Sequence, residues 1–234
     1  MSWNQSSSYV PTDVRDERVT SFLSKVYGWM FLGLLITAGV AFGVASSPVL
    51  IETLRVNRVL FWILLLAPIG FVWYLASRVD TIAPTTAAVL FLVYAALVGV
   101  TSSVVLLIYT GASIVSAFVI TSGMFGAMAV FGTFTKKSLA GVGQFMFMGL
   151  IGLIIASIVN IFLLNDVMSF VISVIGVIVF TGLTAYDAQR MKEMAVALPD
   201  GRVGSYAVVG ALSLYLDFIN LFFFILRLFG GRRD

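Results

Sequence analysis

The sequence contains no cysteine and no histidine, and each absence excludes several kinds of chemistry. Without cysteine there are no disulfides, no thiolate nucleophile and no iron–sulfur ligation, although this does not identify the compartment. Without histidine there is no imidazole metal site, no Ser-His catalysis and no side chain that ordinarily titrates near neutral pH. Any proton sensing by this chain must therefore use carboxylates.

Charged residues are also scarce. Only 11% of the 234 residues are charged, 60% are hydrophobic and the mean hydropathy is +1.07, which excludes an ordinary soluble domain. A helix needs roughly 20 apolar residues to cross a hydrocarbon core of about 30 Å. The uncharged stretch 81–135 is long enough for two such helices. Continuous apolar runs without strict alternation favour helices over a membrane β-barrel.

The sequence therefore predicts an all-α integral membrane protein with seven transmembrane helices. A polar tail, 1–25, precedes the transmembrane domain, 26–230, and a short basic tail, 231–234, follows it. The first tail is expected to be disordered or interfacial, because it is polar and of mixed charge. The other long polar segment, 188–206, is expected to be a loop. The predicted spans are 26–47, 59–77, 85–108, 112–134, 143–164, 168–187 and 207–229.

The distribution of Lys and Arg predicts a cytoplasmic N-terminus. With seven spans, nine of the 14 basic residues fall on the N-terminal side, which agrees with the positive-inside rule. These nine are Arg15, Arg18, Lys25, Arg78, Lys136, Lys137, Arg190, Lys192 and Arg202. A re-entrant last segment would bring the C-terminal arginines inside as well, but the length of 207–229 favours a full span. The Lys and Arg side chains that give the net charge of +3 are expected to contact lipid headgroups rather than nucleic acid.

Asp217 lies in the middle of the last apolar run. A charged aspartate at that depth costs at least about 2.5 kcal/mol, so it indicates a functional site. Asp187, at the end of the sixth predicted span, is expected to lie near it, because the two helices are consecutive and antiparallel. Ser213 and Asn220 recur with Asp217 at helical spacing, as Thr184 does with Asp187, so both stripes are expected to face the bundle interior.

Two carboxylates in one low-dielectric site do not ionise together easily, because burial and mutual repulsion both disfavour the doubly charged state. A shared proton would link the two helices, and its loss would leave two repelling charges that separate or attract a cation. This arrangement predicts a pH-gated switch without histidine. The alternative is that Asp187 caps its helix at the interface while Asp217 bonds Asn220 or a loop.

Other functional classes have weaker support. The chain has a Tyr186-Asp187 pair but no second aspartate in a GxGD context, which argues against a two-aspartate intramembrane protease. The last span has no lysine for a retinal Schiff base. Calcium prefers about six to eight oxygen ligands, so Asp187 and Asp217 are expected to hold it only weakly and transiently. Arg78, at the end of the second span, is a candidate latch on the acids or an ordinary snorkelling residue.

Segments 177–193 and 210–230 resemble the signature of the Bax inhibitor family, the transmembrane BAX-inhibitor-motif proteins, and 25–38 and 121–132 resemble it too. The likeness is to its bacterial inner-membrane subgroup. It implies seven helices with the last one central, and a pH-sensitive calcium leak governed by an aspartate pair that matches Asp187 and Asp217. The family's second-helix arginine, which latches the closed state, matches Arg78.

The resemblance further implies a multi-pass protein of the bacterial inner membrane, without a tightly bound cofactor and not an enzyme, with Ca²⁺ as the permeant ion and H⁺ as the signal. Some bacterial relatives bind and modulate a membrane AAA protease, so a non-transporting regulator of such a protease or of a stress complex, acting through residues 1–25, is the alternative function. A proton-coupled exchanger is a third, less favoured because no inverted repeat is evident.

Overall fold

Each long apolar run of the sequence forms an α-helix, because a backbone in hydrocarbon must satisfy its N–H and C=O groups within the protein. The computed structural model describes residues 12–231, and within that range the chain forms eight α-helices and one 3₁₀ turn. The helices are α1 (Thr12–Ala45), α2 (Pro48–Val56), α3 (Arg58–Arg78), α4 (Pro84–Ile108), α5 (Gly111–Phe134), α6 (Ala140–Leu163), α7 (Asp166–Ala197) and α8 (Val203–Phe229), and the turn is Asp200–Arg202.

Six of the described helices are long and apolar enough to cross a bilayer, namely α1, α4, α5, α6, α7 and α8. They coincide with six of the predicted spans. The remaining predicted span, 59–77, coincides with α3, which is 21 residues long. The all-α membrane architecture is therefore confirmed, whereas the count of seven spans stays a prediction.

Two helices are much longer than the sequence predicts. α1 begins at Thr12, so residues 12–25 are helical where a polar tail is expected, and residues 1–11 and 232–234 lie outside the described part. The reason is an amphipathic stripe in which Phe22 and Val26 are buried and Val19 and Leu23 pack beside them. Counting charges alone conceals such a stripe.

α7 likewise continues ten residues past its predicted end, to Ala197, because Ala188, Met191 and Ala195 keep one face buried. The predicted loop 188–206 is therefore wrong over most of its length. The link between α7 and α8 contains only Leu198, Pro199 and the 3₁₀ turn. The short helix α2, between the first and second predicted spans, is also absent from the sequence prediction.

Polar residues mark the breaks between helices. The Asn57 side chain accepts a hydrogen bond from the Leu60 N–H at the start of α3, and Asn165 does the same for Met168 at the start of α7. Such N-caps satisfy backbone donors that the first turn of a helix leaves free. The short polar breaks thus allow long apolar runs to fold as separate antiparallel helices.

α8 is the most buried of the six candidate spans and packs against α1, α4, α5 and α7. At its first turn the Ser205 hydroxyl donates to the Ile82 carbonyl, just before α4 begins (2.8 Å). Beyond its last turn the Gly231 N–H donates to the Ser113 hydroxyl, just after α4 ends (2.9 Å). α8 therefore runs the full length of the bundle beside α4.

Gly132 allows a close approach of α5 to α7. A Cβ built at this position would lie 2.8 Å from the carbonyl carbon of Ala185 and still closer to its carbonyl oxygen. Helices in membranes associate largely through such small-residue contacts, because lipid offers no hydrophobic driving force between them. Gly126, on the same helix, has no atom within 4 Å of the corresponding position.

We predict that Gly132→Ala destabilises the bundle by about 1–3 kcal/mol, because the added methyl group must push α5 away from the Ala185 backbone. Gly126→Ala is the matched control and should be neutral or slightly stabilising, since alanine favours a helix over glycine. The measurement is the thermal unfolding midpoint of each variant in detergent. Equal midpoints for the two variants would show that the α5–α7 contact does not constrain the fold.

Candidate functional site

The candidate site lies where polar faces of α7 and α8 meet. Asp217 on α8 is only 4% exposed, and its Oδ2 atom has no hydrogen-bond partner among the described residues. Asp187 on α7 is half-buried. The two carboxylates lie close enough to interact electrostatically, as antiparallel neighbouring helices predict. A buried polar atom without a partner is rare, and it points to a proton, a water molecule or an ion as its ordinary neighbour.

Both aspartates line a cleft of about 920 Å³ between α3, α4, α6, α7 and α8, here called the aspartate cleft. Most of its wall is apolar. Its polar side chains include Asp187, Asp217, Arg190, Ser213, Asn220 and Gln144. The cleft therefore offers carboxylate, hydroxyl and amide oxygens within an otherwise apolar enclosure.

The two other candidates on α8 both line this cleft. Ser213 and Asn220 lie one turn to either side of Asp217, as the helical period requires. The Asn220 amide nitrogen donates to the Leu216 carbonyl (2.8 Å), so this amide N–H bonds its own helix. The alternative in which Asp217 bonds Asn220 is therefore not the bond that this amide nitrogen makes.

Thr184 occupies a different position from the other candidates. It is fully buried, its hydroxyl donates to the Phe180 carbonyl one turn earlier (2.7 Å), and it is not among the residues that line the cleft. A threonine bonded to its own helix in this way can pack closely against a neighbouring helix. Thr184 thus contributes to helix packing beside the site.

Arg78 is exposed at the C-terminal end of α3 and is not among the cleft-lining residues. Its carbonyl accepts hydrogen bonds from the turn that follows, at Thr81 and Ile82. The cation at the cleft is instead Arg190, which lines it one helical turn from Asp187, although its side chain is also exposed. Sequence reasoning missed Arg190, although its i+3 spacing from Asp187 places both on one helix face.

Gln189, which sequence reasoning also missed, anchors the part of α7 that follows Asp187. Its side-chain oxygen accepts from the Leu139 N–H (2.7 Å) and its nitrogen donates to the Lys137 carbonyl (2.9 Å). The Lys192 ammonium donates to the Thr133 carbonyl (2.8 Å). These bonds tie the C-terminal half of α7 to the end of α5 and to the turn between α5 and α6, so the backbone that carries Asp187 is anchored on two sides.

The chemistry that these side chains allow is that of oxygen ligands and protons. No group of three or more acidic side chains gathers anywhere in residues 12–231. Two carboxylates and a few neutral oxygens supply fewer ligands than the six to eight or so that Ca²⁺ prefers, so a bound cation would keep part of its water. The cleft suits brief occupancy by a hydrated cation better than permanent ligation.

Comparison with known proteins agrees with this architecture. The family model described as "Inhibitor of apoptosis-promoting Bax1" matches residues 19–234. The chain is 44% identical over 216 residues to the inner membrane protein YbhL of Escherichia coli K12, covering 91% of this chain and 92% of that protein. It is 43% identical over 220 residues to an uncharacterized protein of Rickettsia prowazekii, covering 94% and 93%.

A third relative, an uncharacterized protein of Borreliella burgdorferi, is 43% identical over 215 residues, with 91% of this chain and 93% of that protein covered. These matches extend over nearly all of the helical bundle, including both helices that carry the aspartates. The family resemblance of segments 177–193 and 210–230 is therefore confirmed. The chain belongs to the Bax inhibitor family.

Proposed function

We propose that the protein is a pH-sensitive cation leak of the bacterial inner membrane that passes Ca²⁺ down its gradient, with Asp187 and Asp217 as the gating carboxylates. The observation that carries the proposal is the pair of interacting carboxylates in one cleft of a membrane-embedded bundle. Intramembrane acids that face a cavity are characteristic of ion and proton pathways.

The proposal includes α3 as a seventh span, α8 as the central helix and a cytoplasmic N-terminus. Support for the span comes from the 21-residue length of α3, and support for the centre comes from the packing of α8 against four other long helices. The excess of Lys and Arg on the N-terminal side supports the orientation. The E. coli relative is named an inner membrane protein, which supports this location.

Proton release drives the proposed switch. At acid pH a proton on the aspartate pair removes the repulsion between the two carboxylates, and the cleft attracts cations only weakly. At neutral pH both carboxylates are charged in a low-dielectric enclosure, and their repulsion is relieved by a cation that enters between them. Conduction requires that this binding be favourable enough for entry and weak enough for exit.

Arg190 is proposed as the counter-charge of the pair. Because its guanidinium attracts Asp187, it favours the ionised form of that carboxylate and leaves one uncompensated negative charge when both acids are ionised. A cleft with one net negative charge can bind a cation transiently, whereas a cleft with two net negative charges would hold the cation too tightly for release. Arg78 has no such position, since it does not line the cleft.

The alternative of a non-transporting regulator of a membrane AAA protease rests on the N-terminal segment, of which residues 1–11 lie outside the described part. Val19, Phe22 and Leu23 of that segment pack in or against the core of the bundle, which leaves less of it for a partner. Loss of a protease-dependent phenotype on deletion of residues 1–11, together with wild-type calcium flux, would favour the regulator.

We predict that Ca²⁺ flux into dye-loaded liposomes rises from acid to neutral pH for the wild-type protein and that Asp217→Asn or Asp187→Asn removes most of this rise. The expected loss at neutral pH is roughly tenfold, the factor that corresponds to about 1.4 kcal/mol of lost interaction. Glu193→Gln is the matched control, because Glu193 is an exposed acid on the same helix as Asp187, outside the cleft.

The control variant should keep both the flux and its pH dependence. A double Asp187→Asn, Asp217→Asn variant with the wild-type profile would overturn the gating role of the pair. A wild-type protein that carries no calcium at any pH, while still folded in the liposomes, would overturn the leak itself.

We also predict that Arg190→Gln moves the pH midpoint of the flux upward, because loss of the positive charge makes the neighbouring carboxylates harder to ionise. Arg78→Gln should leave the midpoint unchanged, since Arg78 does not line the cleft. Flux measured across a pH series in liposomes compares the two variants. The opposite result, a shift of the midpoint with Arg78→Gln alone, would instead support Arg78 as the latch.

A further inference from the structure

Two phenyl rings lie between the facing polar stripes of α7 and α8. Phe180 and Phe224 stack with their ring centroids 5.9 Å apart and their planes at 29°. Phe180 lines the aspartate cleft, whereas Phe224 lines a second cleft. The stacked pair therefore separates two polar spaces within the bundle.

The second cleft, here called the Arg227 cleft, has a volume of about 690 Å³ and lies near the turn between α4 and α5. Its polar side chains include Ser157, Asn160, Asp166, Ser169 and Arg227. The Asn160 amide donates to the Ser169 hydroxyl (2.7 Å), which joins α6 to α7. The cleft thus provides oxygen ligands and one acid beyond the two rings.

Helical spacing places the rings on the same faces as the aspartates. Phe180 precedes Asp187 by seven residues and Phe224 follows Asp217 by seven, which is about two turns or roughly 10 Å along each helix. Because α7 and α8 are antiparallel, both rings lie at one level, on the side of the aspartates that faces the Arg227 cleft. An ion that moved between the two clefts along this face would have to pass the rings.

Contacts on both sides hold the Phe224 ring in place. A Cβ built at Gly176 would lie 2.6 Å from two of its ring carbons, so glycine is what allows the ring to lie against α7. The Arg227 guanidinium lies over the same ring, with its central carbon 5.8 Å from the ring centroid. The ring is therefore a fixed element of the α7–α8 contact.

We propose that the Phe180–Phe224 stack is an apolar gate between two polar clefts, and that the Arg227 cleft is the second mouth of the cation pathway. The inference rests on the proposed leak function. A hydrated cation passing two stacked phenyl rings must shed water without gaining oxygen ligands, and apolar constrictions close channels to ions in this way. Protonation of the aspartates controls charge on one side, while the rings control hydration between the clefts.

The absence of native cysteine allows a direct test with single-cysteine reporters. Ser213→Cys reports on the aspartate cleft and Ser157→Cys on the Arg227 cleft. Each is treated with a membrane-impermeant sulfonated methanethiosulfonate from either face of sealed vesicles. With both rings present, each cysteine should react from one face only, and the two reporters from opposite faces.

Phe224→Ala should make both reporters reactive from either face and raise Ca²⁺ flux in liposomes roughly tenfold, as a barrier lowered by about 1.4 kcal/mol requires. Phe223→Ala is the matched control, because Phe223 is the adjacent aromatic on the same helix and lines neither cleft. This control should keep one-sided labelling. Phe224→Leu and Phe180→Leu, which retain apolar bulk but not the stack, should give a smaller effect and serve where the alanine variant does not fold.

Labelling and flux distinguish failure of the gate from failure of the leak. Two-sided labelling in folded Phe224→Ala without calcium flux in any variant would support the gate and overturn the calcium function. One-sided labelling in every folded ring variant, whatever the flux, would overturn the gate. The same two-sided labelling in Phe223→Ala would also overturn it, because the effect would then not belong to the stacked pair.

Discussion

Tyr215 fixes the rotation of α8 within the bundle. Its hydroxyl lies 2.6 Å from the Thr37 hydroxyl on α1, and its ring makes edge contacts with Phe91 and Tyr94 on α4. In an α-helix, residues two positions apart point roughly 200° from each other around the axis. A tyrosine at position 215 that faces α1 and α4 therefore turns Asp217 to the opposite side, toward α7 and the cleft. The position of the acid thus follows from the packing of a neutral neighbour.

The same rigidity determines how the aspartate pair can respond to proton loss. α8 is bonded at its start to the loop before α4 and just past its end to the first turn of α5, and Gln189 and Lys192 bond α7 to the end of α5 and the turn after it. Neither helix is free to move away from the other without breaking these bonds. In the proposed switch, repulsion between the two carboxylates is therefore relieved most readily by a proton or a cation in the cleft, which would couple charge in the site to occupancy.

Much of this arrangement could be predicted from the sequence, and the exceptions have a common cause. Uncharged runs locate the long helices, and the helical period of polar residues brings Asp187 and Asp217 to one interior face. A count of charges ends α1 and α7 too early. Both helices continue where one face is apolar and the other charged, as around Phe22 in α1 and Met191 in α7. Topology places Arg78 on the same side of the membrane as the acids, but only packing shows that Arg190 lines their cleft.

In the proposed leak pathway, control of charge and control of hydration are separate requirements that fall to different side chains. Carboxylates without histidine can sense protons only where burial makes ionisation costly, and the enclosure of Asp217 by α8's neighbours supplies that condition. Yet a charged carboxylate attracts any cation that can reach it, so charge alone cannot keep the pathway closed. The proposed apolar constriction two turns away would close it without a charge, because it offers an ion no ligands in exchange for water. The stacking of Phe180 on Phe224, on the same two helices, therefore complements the aspartate pair and requires no additional element of the fold.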